Sequence, residues 1–302
     1  MSTQSKRVAF HTMGCKLNFS ETSTIKRDFL SRGFTDVNFS DIADIYVLNT
    51  CSVTENANKE ARKLIRQAKR KNPFSSIVAI GCYAQLNPDE ISQTDGVDLV
   101  LGAEQKFDIL DHLDLIEIDQ RSKKVHSNIN KANFFIPSFS SNDRTRSYLK
   151  IQDGCDYKCT FCTIPLARGF SRSNSIDKTV SLAKKVEQAG AKEIVLTGVN
   201  IGDFGKRQKE SFLDLIRSLD KLTKVERFRI SSIEPNLLST DIIDFCNESD
   251  KFMPHFHIPL QSGSNKILRL MKRRYDTDLY KRRIEYIKSL MPDTCLGVDV
   301  IV

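Results

Sequence analysis

Short apolar runs alternate with longer amphipathic stretches through the first 118 residues. VAFHT, DIYVLN, SIVAIG and DLVLG are rich in β-branched residues and too short for buried helices, and the segments between them have helical length and pattern. Strands spaced in this way predict a small parallel α/β sheet. From Tyr148 the alternation begins again. YLKIQ, EIVLTGV, RFRIS, HFHIPL and LGVDVIV are five strand candidates, separated by helical stretches such as TVSLAKKVEQAGA and FLDLIRSLDKL. Repeated βα units predict a second parallel sheet curling toward a barrel, with its chemistry on the loops after the strands. The chain stops at Val302 inside the fifth candidate, which leaves a parallel edge unpaired, so the barrel is expected to be truncated at its C-terminal end.

Residues 119–147 are polar and rich in Ser and Asn, and read as a linker. Phe134, Phe135, Ile136 and Phe139 are too apolar for a free tether, so this stretch is expected to pack between the domains. The organisation is therefore 1–118, a linker over 119–147, and 148–302.

The cysteines follow this alternation. Cys15, Cys51 and Cys82 each come just after one of the first three strand candidates, at intervals of about one βαβ crossover, roughly thirty residues. All three thiols are expected at the carboxyl edge of one sheet, where open α/β folds bind ligands. A second group, Cys155, Cys159 and Cys162, lies in DGCDYKCTFCTIP, directly after YLKIQ. Paired C-x2-C knuckles suit tetrahedral zinc, whereas three thiolates on one short loop can hold three corners of a cubane cluster and leave its fourth iron open. A zinc loop with a distant fourth ligand is the alternative. Cys246 and Cys295 are expected to be small buried hydrophobes.

The 46 basic and 38 acidic side chains give 302 residues a net charge of +8, which favours an anionic partner. Lys59, Arg62, Lys63, Arg66, Lys69, Arg70 and Lys71 crowd one helix with Glu60 in opposition. Lys272, Arg273, Arg274, Lys281, Arg282 and Arg283 form a second cluster. Together they predict a phosphate-binding surface; two solvated helix faces are the alternative. No apolar run approaches a membrane span and MSTQSKRVAF has no apolar signal core, so no membrane partner and a cytosolic, reducing compartment are expected.

GCKLNFSE, NTCSVT, GCYAQ, DGCDYKCTFCTIPLARGFSRS, TGVNIGDFG, ISSIEPNLLS and HIPLQSGSNKILRLMKRRY, in this order, resemble the methylthiotransferases of the radical S-adenosylmethionine (SAM) superfamily across essentially the whole chain. The resemblance implies a small α/β domain followed by a partial radical SAM (β/α) barrel. It implies two 4Fe-4S clusters, an auxiliary one on Cys15, Cys51 and Cys82 and a SAM-cleaving one on Cys155, Cys159 and Cys162. CKLN, QDGCDYKCTFCTIPLARG and SSIEP resemble the branch that acts on tRNA already bearing threonylcarbamoyladenosine at position 37 of the anticodon loop. The isopentenyladenosine branch and the branch acting on a ribosomal protein aspartate are the alternatives, and a zinc-stabilised RNA-binding module is the alternative without catalysis. An electron donor such as flavodoxin or ferredoxin is implied as a partner.

Four residues are candidate SAM contacts. Phe161 adjoins the last cysteine, with a core phenylalanine as the alternative, and Gly198 follows EIVLT, where a missing Cβ lets backbone approach a ligand. Glu234 and Gln261 follow the third and fourth strands of the second alternation, where polar groups are expected to face the site. His255 and His257 share one strand face and are expected to be satisfied interior histidines.

Overall fold

The computed structural model describes residues 5–52, 54–117, 122–141 and 145–301. The chain divides into two compact units, Met1–Ala132 with Leu166–Gly169, and Asn133–Pro165 with Phe170–Val302.

The first unit is a six-stranded parallel sheet: β1 (Arg7–Thr12), β2 (Thr35–Val37), β3 (Ile45–Thr50), β4 (Ser76–Gly81), β5 (Leu99–Leu101) and β6 (Lys123–Val125), in the order β2-β1-β3-β4-β5-β6. The register aligns Thr12 with Asn49, Asn49 with Ile80, and Thr50 with Gly81, so three neighbouring strands end level with one another. Strand side chains alternate between faces. Tyr46, Leu48, Ile77 and Ala79 therefore pack with Ala61, Ile65 and Ala68 of α2 (Glu55–Lys71), while Ile45, Val47, Val78 and Ile80 pack with Ile25 and Phe29 of α1 (Lys16–Ser31). Both faces being covered explains why β3 is buried at every position. Full burial of a side chain such as Phe29 or Ile65 contributes about 1.5–3 kcal/mol. Short helices α3 (Cys82–Leu86), α4 (Pro88–Ser92), α5 (Ile109–His112) and α6 (Asp114–Glu117) complete the unit's larger elements.

The sequence pattern missed β2 and β6. TDV and KKV carry one apolar residue each and stand at the two outer edges of the sheet, where one neighbour suffices and burial is partial. β6 lies within the stretch read as a linker; residues 119–121 and 142–144 of that stretch lie outside the described residues.

In the second unit β7 (Ser147–Lys150) pairs in parallel with β10 (Glu193–Thr197), and β10 with β11 (Arg227–Ile230). Parallel bridges from Phe228 to Phe252 and from Ser232 to His257 carry the sheet on to β12 (His255–His257), which pairs with β13 (Cys295–Gly297). Between β7 and β10 the chain forms β8 (Gln152–Asp153), α7 (Ile164–Arg168), β9 (Arg172–Ser173) and α8 (Ile176–Gln188), and β8 pairs with β9 antiparallel. The remaining helices are α9 (Phe212–Leu222), α10 (Thr240–Glu248), α11 (Asn265–Leu270) and α12 (Thr277–Leu290). Leu149, Ile194, Leu196, Phe228, Ile230 and Phe256 of the strands meet Val180, Ala183, Leu215, Ile216, Leu219, Ile243 and Ile287 of the helices in one core. Phe139 bridges Leu149, Phe135 lies under the Lys150 ammonium, and Phe134 is exposed.

Cys246 is buried on α10 as expected, but Cys295 is exposed. It opens β13, a short strand with no fully buried position. Among the described residues no helix is long and apolar enough to cross a membrane.

Candidate metal centres

Cys15, Cys51 and Cys82 follow β1, β3 and β4 and stand at one sheet edge, because those strands are neighbours ending in register. Cys15 is the N-cap of α1 and makes no side-chain capping bond, which leaves its thiol available. Gly14 has φ +88°, and a Cβ there would lie 2.9 Å from both Cβ and Sγ of Cys51. The first cysteine loop therefore passes against the second thiol, and only glycine fits that approach. Cys15 is exposed, Cys51 half-buried and Cys82 buried. Burial pushes the Cys82 thiol well above its ordinary range; Arg168 and Lys106 pull it down, and Cys15 and Glu21 push it up.

Beneath these thiols the first two turns of α1 bury polar groups. Asn18 Nδ2 donates to the carbonyls of Met13 (3.0 Å) and Thr50 (3.2 Å). Thr50 Oγ1 donates to the Ile80 carbonyl at 2.6 Å, which joins the second cysteine loop to the third. Glu21 accepts Lys106 Nζ at 2.6 Å and a bidentate pair of 3.1 Å bonds from Arg168, whose Nη2 also reaches Asn18 Oδ1 at 2.5 Å. Sequence reasoning assigned only Cys15 in GCKLNFSE. A helix presenting Asn18, Glu21 and Thr22 on the face it shares with Leu17 and Ile25 breaks the amphipathic pattern, and that break was the available signal.

In the second unit Cys155, Cys159 and Cys162 share the loop between β8 and α7, all half-buried. Gln152 sets where that loop begins. Its Nε2 donates to the carbonyls of Asp153 (2.9 Å) and Gly154 (2.6 Å) and to Ser171 Oγ (2.9 Å), while its Oε1 accepts the backbone N–H groups of Val199 and Asn200 at 2.9 and 2.8 Å. The turn after β10 is thereby tied to the residue preceding Cys155. Gly198 belongs to the same arrangement, since a Cβ there would stand 2.9 Å from the Gln152 carbonyl oxygen.

The turn after α11 holds the middle of the loop. Thr160 donates its N–H to the Met271 carbonyl (3.2 Å), and Arg273 donates Nη1 to Cys159 Sγ (3.2 Å) and Nη2 to Glu234. Arg274 lies over the Tyr157 ring at 3.9 Å, and Tyr157 accepts Asn236 Nδ2 at 2.8 Å. Burial pushes the Cys155 thiol up to about 12 and raises Cys162, with the neighbouring thiols adding to each.

The other sequence candidates sort as follows. Phe161 is 44% exposed, which removes the core reading. Glu234 is committed to Arg273 through Oε2. Gln261 has φ +64°, and its main chain pairs with Asp299 and Ile301. His257 pairs with Asp299 at 3.2 Å. Of the second basic cluster read from sequence, Arg273 is half-buried and engaged with the cysteine loop, while Arg274 lies over Tyr157 and is exposed. On α2, Arg62 engages Glu55, Glu90 and Tyr83, Lys69 engages Asp98, and Lys71 engages the Ser40 carbonyl. Lys59, Lys63, Arg66 and Arg70 form the exposed stripe.

The donor set in each group is three thiols, the ligands that iron–sulfur clusters take, and Gly14 removes the one Cβ that would crowd the first group. Among the described residues no three His, Cys, Asp or Glu side chains converge as a site for one metal ion. Two groups of three cysteines, one beyond the carboxyl ends of three parallel strands and one on the loop between β8 and α7, are therefore the candidate sites.

Residues 7–102 match the Uncharacterized protein family UPF0004, and residues 149–302 match the Radical SAM superfamily. The threonylcarbamoyladenosine tRNA methylthiotransferase MtaB of Bacillus subtilis is 42% identical over 301 residues, covering 98% of this chain and 66% of the relative. The protein of the same name from Aquifex aeolicus is 38% identical, covering 98% and 73%. A tRNA-2-methylthio-N(6)-dimethylallyladenosine synthase of Endomicrobium trichonymphae is 32% identical, covering 96% and 68%. Among solved structures, the radical SAM methyltransferase TsrM of Kitasatospora setae aligns with a TM-score of 0.66 at 11% identity, covering 98% of this chain and 67% of that one, which is likeness of fold. The chain belongs to the tRNA methylthiotransferase family of the radical SAM superfamily. It spans about two thirds of the length of these curated relatives.

Proposed function

We propose that the protein replaces the hydrogen on carbon 2 of threonylcarbamoyladenosine, at position 37 of tRNA, with a methylthio group. The reading is carried by the 42% identity over 301 residues to a threonylcarbamoyladenosine tRNA methylthiotransferase, against 32% to a dimethylallyladenosine synthase. That hydrogen is far too weakly acidic for any side-chain base, whose pKa lies between roughly 4 and 10. When bound, SAM and two 4Fe-4S clusters supply the one-electron removal of the hydrogen and the sulfur and methyl group that replace it.

The residues of the chain do the holding. Cys155, Cys159 and Cys162 ligate the cluster at which SAM binds, with Gln152 fixing one end of their loop and Arg273 its middle. Cys15, Cys51 and Cys82 ligate the auxiliary cluster. Phe161 offers an exposed ring to the SAM adenine, and Gly198, Glu234 and Gln261 line the remainder of the SAM site. A flavodoxin or ferredoxin supplies the electron, tRNA meets the exposed stripe of α2, and the protein works in the cytoplasm. The domain with the auxiliary cluster, read from sequence as 1–118, takes in β6 from the stretch read as a linker over 119–147, and the radical SAM core runs from 148.

The test is mass analysis of tRNA nucleosides from cells with and without the gene. Loss of the 2-methylthio form of threonylcarbamoyladenosine alone is the expected result. Loss of the 2-methylthio isopentenyl nucleoside would move the substrate to that branch, and an unchanged nucleoside profile would remove tRNA as the substrate.

A further inference from the structure

Arg168 follows closely behind Cys162 in sequence, yet it falls in the segment Leu166–Gly169 that belongs to the first compact unit. There its guanidinium is 3% exposed and fully engaged, with two 3.1 Å bonds to Glu21 and one of 2.5 Å to Asn18 Oδ1. Arg168 thereby fixes which way the Asn18 amide faces. With Oδ1 held by the guanidinium, Nδ2 must point toward the Met13 and Thr50 carbonyls, one just ahead of Cys15 and the other directly before Cys51. The Asn49 side chain donates to the Asn18 carbonyl at 3.0 Å, and Thr50 carries the linkage on to Ile80, ahead of Cys82. One buried fork of donors thus sets one amide, and that amide sets three cysteine loops.

We propose that Arg168 is a positioning residue for the Cys15, Cys51 and Cys82 thiols, acting through Asn18, and not a part of the Cys155–Cys159–Cys162 site beside which it lies in sequence. The proposal rests on the reading that the first three thiols hold a cluster. A buried bidentate arginine suits the role because its planar donors engage Glu21 and Asn18 together, which a lysine ammonium, as a point donor, does in only one direction. Groups that orient metal ligands typically affect metal affinity by roughly 10–100-fold.

The test uses the chain with Cys155, Cys159 and Cys162 changed to Ala, so that only the first three thiols load iron under anaerobic reconstitution. In that background Asn18→Asp is the informative variant. It keeps the size of the side chain and its bond to Arg168 but turns the donating amide into an oxygen that repels both carbonyls. Arg168→Lys is the second variant, because it keeps the charge opposite Glu21 and loses the fork. Iron affinity falling by roughly 10–100-fold in both, with both variants still unfolding cooperatively in urea, though at lower midpoints, and with full loading of the second cluster when its cysteines are restored, is the expected result. Unchanged affinity in both variants, or equal loss from both clusters, overturns the positioning role. A parent that loads no iron at all overturns instead the reading of the three thiols, so the two failures are distinct.

Discussion

Arg273 donates to Cys159 Sγ at 3.2 Å while its other terminal nitrogen holds Glu234. The turn that delivers it is built for this. Lys272 adopts φ +58°, its N–H bonds the Arg269 carbonyl (3.0 Å) and the Arg273 N–H bonds the Leu268 carbonyl (2.9 Å), closing α11 in a Schellman motif that sends residue 273 back toward the loop. A cationic donor on a ligating sulfur stabilises the more negative, reduced state of a cluster. Arg273→Met is therefore expected to shift the potential of the second cluster to more negative values and to slow SAM cleavage roughly 10–100-fold. Redox titration followed by electron paramagnetic resonance, with 5'-deoxyadenosine assayed alongside, checks it; an unchanged potential would make the contact incidental.

Gln152 accepts two backbone N–H groups, that of Asn200 buried and that of Val199 partly buried. Gln152→Leu should cost about 1–3 kcal/mol for the buried Asn200 donor left unsatisfied. Gly198→Ala, which forces a Cβ to 2.9 Å from the Gln152 carbonyl oxygen, should cost about 1–3 kcal/mol by overpacking. Urea denaturation measures both. The double variant should fall short of the sum, because the Gln152 Oε1 lost in the first change also lies 3.0 Å from the Cβ added by the second.

The strands that bury both faces were legible because a continuous apolar run has few alternatives, and the phase of Cys15, Cys51 and Cys82 against those runs placed them at one edge. β2 and β6 were not legible, because an edge strand with one partner needs little apolar surface. The cysteines themselves stood out by type and spacing. Asn18, Gln152 and Arg168 did not, since a polar side chain in a motif carries no mark of which carbonyl it will meet. Their roles depend on contacts across the fold, as Gln152 with Asn200 and Asn18 with Thr50 show. Charge was legible as a total and misleading in detail. Arg62, Lys69 and Arg273 look like surface cations in sequence and are engaged within their own units.

Two four-iron clusters require about eight irons and eight sulfides in the reconstituted protein. Changing Cys15, Cys51 and Cys82 together to Ala should halve both, and the same change at Cys155, Cys159 and Cys162 should remove the other half. The first variant should still cleave SAM, and the second should not. Stoichiometric zinc in a colourless protein would exclude the radical reading altogether.

His11 lies against Phe39, ring centroids 5.1 Å apart, and burial holds its pKa below the ordinary histidine value, with Glu60 opposing. The unfolded chain then binds the proton more readily than the folded one, so stability rises with pH across the window below about 6.5 and is lost as the pH falls through it. His11→Phe removes that dependence. Between about pH 7.5 and 5.5 the urea midpoint of the parent should fall further than that of the variant; equal slopes would show that His11 titrates alike in both states.

Lys59, Lys63, Arg66 and Arg70 recur at helical spacings of four, three and four, so they share one face of α2, and all four are exposed. The other three basic residues of this helix are turned to Glu90, Asp98 and the Ser40 carbonyl. What remains is a stripe able to follow a phosphate backbone. Reversing the four charges should weaken tRNA binding and flatten its dependence on salt by roughly 0.7–0.9 log units for each phosphate no longer neutralised. Ion pairs with phosphate position a substrate without reading its bases, so the weakening should be alike for different tRNAs, and SAM cleavage without tRNA should be unaffected. Affinity measured from about 50 to 200 mM salt decides it. An unchanged slope would return the stripe to ordinary solvated surface and move the expected RNA face to the second basic cluster, where Lys272, Arg274, Lys281 and Arg282 are exposed.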